Sequence, residues 1–195
     1  MSALLAAFPA ALRTDAVEVA QAMPVARLPA TRPFAVGVEG EPVVIPYRLY
    51  NPEPTSAVVE TLSPTQRTML ACLYTRHHDG HVRQRYLRRV AEEVHPWVAP
   101  FVVQLVGEYV VEIVSAVREY LVGIEVPGSC LRLVYGRFAR ENRAFLDLTY
   151  QRAASYWDCY YRNLYAARRY YPAFDVLDSL RVAGREISEY SVTEA

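Results

Sequence analysis

The chain is predicted to fold as a mainly α-helical, single-domain bundle of about five helices with a short N-terminal β-hairpin. Three observations predict it. From Ser63 onward apolar residues recur at helical spacing. Breakers fall where helices would turn, at Gly80, Pro96 and Pro127-Gly128. Residues 34–49 instead alternate apolar and polar around a Gly/Pro turn. At 195 residues and 52% hydrophobic content, the chain is long enough to bury a core and too apolar for disorder.

Ala3 to Ala22 is Ala-rich and weakly helical. Pro24, Pro29 and Pro33 then fix φ and remove amide donors, which predicts an extended linker. Residues 34–38 and 43–49 flank Glu39, Gly40, Glu41 and Pro42, the signature of a hairpin, and Pro46 holds the second strand at an edge. Residues 51–56, with Pro52 and Pro54, form a loop. Residues 1–56 thus read as an arm packed on a helical domain of residues 57–182, and residues 183–195 as a flexible polar tail.

The helical body opens at Ser63, a good N-cap, followed by Pro64 at the first helical position and Gln66 placed to close a capping box. Met69, Leu70, Leu73 and Tyr74 give this helix its apolar face. It is expected to stop at His77, His78, Asp79 and Gly80, where histidines meet the negative helix end. A second helix, His81 to Val94, carries Val82, Tyr86, Val90 and Val94 on one side and Arg83, Arg85, Arg88 and Arg89 on the other. The third, Trp97 to Val122, is the apolar spine, with Gln104, Glu108, Glu112, Ser115, Arg118 and Glu119 within an arc of roughly 120°. Each of Glu108 and Glu112 would cost about 2.5–3.5 kcal/mol inside a bilayer, so the spine is predicted to be a core helix and not a membrane span. A shorter helix follows from Ser129 to Arg140. Next comes a long helix, Asn142 to Tyr171, holding Tyr150, Tyr156, Trp157, Tyr160, Tyr161, Tyr165, Tyr170 and Tyr171. Arg152, Arg162, Arg168 and Arg169 are interleaved among them. After Pro172 a short helix spans Phe174 to Val182.

Composition excludes several chemistries. Net charge is zero, so no global field recruits nucleic acid or anionic membrane. All 21 basic residues are Arg, which removes the P-loop lysine, the Schiff-base lysine and a lysine general base. Neither G-x-G-x-x-G nor G-x-S-x-G occurs. Cys72, Cys130 and Cys159 are widely spaced without a C-x-x-C pair, which reads as reduced cytoplasmic thiols and no zinc site. Residues 1–12 lack a basic leader and are interrupted by Pro9, so no cleaved signal is expected. No cofactor is expected.

The remaining signals are constellations. Glu108 and Glu112 stand one helical turn apart, an arrangement that forms a solvent-facing acidic stripe, holds a metal or shares a proton, or partners a buried Arg or Tyr. A dimetal site would add Glu-x-x-His, and the match at Glu92 to His95 runs into Pro96. Arg152 lies on the inward arc beside Tyr156, and a guanidinium forced into a core needs a carboxylate, which Glu108 or Glu112 supplies. His77, His78 and His81 are assigned to capping. Ser129 has no base or oxyanion context. Arg76, Arg83, Arg85, Arg88 and Arg89 form the one basic patch.

Residues 62–70, Leu62, Ser63, Pro64, Thr65, Gln66, Arg67, Thr68, Met69 and Leu70, resemble the opening helix of winged-helix repressors of the multiple-antibiotic-resistance type, which implies DNA binding. The resemblance covers about nine residues, and no recognition helix or β-wing follows. The helices between Pro64 and Val122, joined by short turns, are also similar to helical-repeat pairs of the HEAT kind, implying HEAT-like or orthogonal packing. The leading functional reading is a cytoplasmic interaction or ligand-binding protein. In it Arg152, Tyr156 and Tyr160, with Glu108 and Glu112, engage an anionic group of a protein, peptide or small molecule. The alternative is a cofactor-independent or metal-assisted enzyme built on Glu108 and Glu112. The third reading is a weak nucleic-acid binder through Arg83 to Arg89. Homodimerisation is left open.

Overall fold

The computed structural model describes residues 2–90 and 93–193 and is mainly helical, with one short antiparallel hairpin near the N-terminal end. The chain divides into two compact units, Met1–Glu93 and Val94–Ala195. The expected count of about five helices is not matched, because the two longest expected helices are each broken.

In the first unit, α1 (Ser2–Leu5) and a 3-10 turn (Ala10–Leu12) lead into α2 (Arg13–Ala22). Strands β1 (Phe34–Val38) and β2 (Glu41–Ile45) pair antiparallel, Phe34 opposite Ile45 and Val38 opposite Glu41. The turn is tighter than expected. Glu39 and Gly40 alone make it, both at positive φ (53° and 83°), the geometry that matches the twist of a two-residue hairpin. Val36, Val38, Val43 and Ile45 share its buried face. After α3 (Ser56–Thr61) comes α4 (Pro64–Tyr74), whose capping box forms as expected: Gln66 N donates to Ser63 Oγ (3.2 Å) and Ser63 N to Gln66 Oε1 (3.0 Å). Gln66 Nε2 also donates to Asp15 Oδ1 (2.9 Å), tying α2 to the start of α4.

Helix α4 ends at Thr75, before the histidines. The extended segment after the hairpin is zipped to this end, with Leu49 N donating to Arg76 O (2.8 Å) and His78 N to Leu49 O (2.9 Å). Tyr74 donates its hydroxyl proton to Pro52 O (2.6 Å). Asp79 caps α5 (Gly80–Val90), its Oδ1 accepting from His81 N (2.8 Å).

The second unit starts with α6 (Ala99–Val106) and α7 (Val111–Tyr120). The spine expected as one helix breaks between them. Gly107 terminates α6, and a Cβ there would lie 3.2 Å from Thr149 Cγ2 and 3.6 Å from Arg152 Cδ, so the close passage of the later helix selects glycine. A 3-10 turn (Leu121–Glu125) leads to α8 (Cys130–Glu141). Ser129 is its N-cap, accepting from Arg132 N (3.1 Å) and donating to Gly123 O (2.8 Å). Helix α9 (Arg143–Tyr156) is followed by a π-turn (Trp157–Tyr161) and a 3-10 turn (Arg168–Tyr170). The expected helix to Tyr171 therefore ends at Tyr156.

Helix α10 (Pro172–Thr193) is longer than the short helix expected, and its backbone is helical through residues expected to be a loose tail. Residues 194 and 195 of that expected tail lie outside the described residues. Phe174, Leu177, Leu180 and Ala183 give α10 a buried stripe at helical spacing. It crosses α8 closely: a Cβ at Gly136 would lie 2.7 Å from Ile187 Cδ1 and 2.9 Å from Ala183 O. Arg132 fixes the crossing, donating from Nε and Nη2 to the two carboxylate oxygens of Glu186 (2.8 and 2.5 Å) and from Nη1 to Ile124 O (2.5 Å). The same hydrogen bonding holds the Glu186 carboxyl below its ordinary range.

Candidate functional site

The Tyr/Arg segment is α-helical only as far as Tyr156, and residues 157–170 form a short shelf hung on the end of α9. Trp157 anchors it, with its indole buried and Nε1 donating to Tyr165 O (2.9 Å), which folds the chain back on itself. Tyr161 ties the shelf to the break in the spine. Its hydroxyl donates to Tyr109 O (2.5 Å) and accepts from Val111 N (3.3 Å), satisfying backbone groups that the break leaves without helical partners. π-turns of this kind recur at functional positions.

The rings divide by depth. Tyr171 is fully buried, stacked on Tyr161 with centroids 5.5 Å apart, and its hydroxyl has no hydrogen-bond partner among the described residues. Burial, reinforced by Tyr161, raises the pKa of its phenol well above the ordinary value, so it stays neutral. Tyr150, Tyr156, Tyr161 and Tyr165 are half-buried. Tyr160 (70% exposed), Leu164 and Tyr170 face solvent. Six of the eight rings are thus buried or half-buried, while Tyr160, placed inward by helical spacing, is exposed: once the helix stops at Tyr156, that spacing no longer decides where residues 157–171 face.

Guanidiniums cover this shelf. Arg162 and Arg168 both sit over the Trp157 indole, 5.1 and 5.3 Å from its centre. Arg169 lies 4.8 Å over Tyr170 and donates to its hydroxyl (3.1 Å). Asp158 is ion-paired with Arg162.

The five residues singled out from the sequence fall into two groups. Glu108 is 1% exposed and lies at the break after Gly107, where the Arg152 side chain passes over Gly107; Tyr109 and Tyr156 have ring centroids 6.2 Å apart. Glu108, Arg152 and Tyr156 thus gather around one bend, and each has an interaction partner. Glu112 is exposed in the first turn of α7, beyond the break, so the expected one-turn pairing of Glu108 and Glu112 on a single helix face is not formed. Tyr160 sits outside, in contact with the ring of Tyr156 (6.4 Å). The role of Tyr161 in bridging the break was missed, because helical periodicity continues across Gly107 and leaves the break unmarked.

The other constellations resolve structurally. His77 Nδ1 accepts from Asp79 N (3.1 Å), and burial, with His78 beside it, lowers its pKa. His78 stacks on Tyr50. The α5 patch is not one exposed basic face. Arg83 is buried, donating through Nη1 to His77 O and His78 O (both 2.9 Å), and Arg85 is ion-paired with Glu53. Among the described residues no group of three or more His, Cys, Asp or Glu is placed to hold a metal ion, and Glu92 of the Glu-x-x-His match lies outside them. No helix among those residues is long and apolar enough to cross a membrane. No protein-family model, no curated protein and no solved structure matches the chain.

Proposed function

We propose that the protein is an interaction protein that engages carboxylate groups of a peptide through the shelf at residues 157–170. The observation that carries this reading is Trp157, buried under the guanidiniums of Arg162 and Arg168 on a segment whose Tyr160, Leu164 and Tyr170 are exposed. Tyr, Trp and Arg are the residues in which binding energy concentrates, and Arg pairs with carboxylates through a planar fork. Three arginines face one aspartate along the shelf, which favours an acidic partner. Glu108, Arg152 and Tyr156 have a supporting role here: they gather at the bend around Gly107, beside the end of α9 from which the shelf projects. The free thiols of Cys72, Cys130 and Cys159 fit a reducing, cytoplasmic setting. The pairing of α4 with α5 across residues 75–79 supports a HEAT-like arrangement as its architecture.

The test is a fluorescence titration in a Trp97→Phe background, which leaves Trp157 as the sole indole. An acidic peptide rich in Glu and Leu should draw Arg162 and Arg168 off the ring and change its emission saturably. Arg168→Ala with Tyr160→Ala should weaken that response at least about tenfold with helicity unchanged. A Trp157 emission that ignores the peptide, or responds equally in the double variant, would contradict the reading.

A further inference from the structure

Beside the α8–α10 crossing lies an open cleft of about 270 Å³ bounded by three helices. Its wall carries Arg140 from α8, Arg143 from α9, and Arg181 and Arg185 from α10, with Asp147 as its one carboxylate and Leu146 at its base. Asp147 is already engaged, accepting from Arg181 Nη2 (3.0 Å), and the Arg181 guanidinium rests 4.4 Å from the centre of the Tyr150 ring. Arg143 and Arg185 are exposed and enter no ion pair among the described residues. Four like charges converge because Gly136 and Gly184 let α8 and α10 approach: a Cβ at Gly184 would sit 3.2 Å from Arg140 N. With Arg181 held by Asp147 and Arg140 also engaged, Arg143 and Arg185 give the cleft its positive excess, which favours an anion there.

We infer that this cleft is a binding site for a phosphate group, either free or carried on a small ester. A carboxylate has two oxygens and is satisfied by one arginine fork. A phosphate monoester has three acceptor oxygens and a charge of about −1.5 to −2, so it engages guanidiniums from α8, α9 and α10 together. The volume is near the lower end for ligand pockets, which restricts the organic part of the ligand to a small one. Tyr150, packed edge-on against Phe174 (ring centroids 5.0 Å apart), gives Arg181 a second contact besides Asp147. This site shares no lining residue with the shelf at residues 157–170 and does not depend on its role.

Calorimetric titration of the full chain in low-salt, phosphate-free buffer tests it, with inorganic phosphate, O-phosphoserine and acetate as the probes. The expected result is saturable binding of at least one phosphate probe, with acetate at least about tenfold weaker, and the stronger phosphate probe tells free phosphate from ester. Arg143→Ala and Arg185→Ala should each weaken that binding roughly tenfold or more while the circular dichroism is unchanged. Asp147→Asn should strengthen it several-fold, a gain that a merely structural role would not produce. Absence of saturable phosphate binding, acetate binding as tightly, or affinities unaltered in all three variants would overturn the assignment.

Discussion

Two regions of this molecule are rich in arginine, and they differ in what surrounds the charge. On α5 four arginines fall within seven consecutive residues, Arg83 to Arg89. Arg83 is 1% exposed and spent on two backbone carbonyls, Arg85 is paired with Glu53, and Arg89 lies over the Tyr86 ring. Between α8 and α10 four arginines from positions 140 to 185 meet around one aspartate. The first region is dense in sequence, but three of its four arginines are held by separate local partners. The second is sparse in sequence and concentrated in space. Charge acts over ångströms, so the gathered cluster is the stronger anion field.

The sharpest way to break this comparison is to pry the second cluster apart. Gly136→Leu places side-chain atoms where Ala183 O and Ile187 Cδ1 already stand. It should destabilise the second unit by about 3 kcal/mol, read as a lower urea midpoint, and abolish phosphate binding with it. Next in size, Tyr161→Phe removes the bridge between Tyr109 O and Val111 N and should cost about 1–2 kcal/mol by the same measurement.

A smaller effect comes from the first unit, where His77 supports the carbonyl that holds Arg83. Burial lowers the His77 pKa, so the unfolded chain takes up its proton first as pH falls below about 6.5. Its contribution is intact above that pH and is lost on acidification toward the lowered folded value. Urea midpoints at about pH 7.5 and about pH 5.5 should therefore differ less in His77→Gln than in the parent. The smallest effect is expected for Arg85→Ala, an exposed ion pair worth about 0.5 kcal/mol, and it should leave phosphate affinity unchanged.

Local signals were legible in the sequence where chemistry acts over a few residues. The Ser63 capping box, the hairpin around Gly40 and the Pro172 helix start all lie in stretches that dictate their own geometry. The break at Gly107 was not legible, because periodicity carries straight across it and only Thr149 and Arg152, more than forty residues on, demand a glycine there. The end of α9 at Tyr156 has no Gly or Pro to announce it. Trp157 and Tyr161 fix it through partners outside the helix, Tyr165 and Tyr109. The candidate site inherits both errors: a helix extended through residue 171 turns its tyrosines inward on paper, while the π-turn brings Tyr160 to the surface. The arginine cleft was invisible for a related reason. No window of the sequence contains it, and it exists once Gly136 and Gly184 admit the crossing of α8 and α10.

The arginine side-chain resonances of the labelled protein, followed during a phosphate titration, test the central contrast most directly. The Nε–H signals of Arg140, Arg143, Arg181 and Arg185 should move together and saturate, while those of Arg85, Arg88 and Arg89 stay in place. Movement of the α5 signals with the cleft signals unmoved would contradict it.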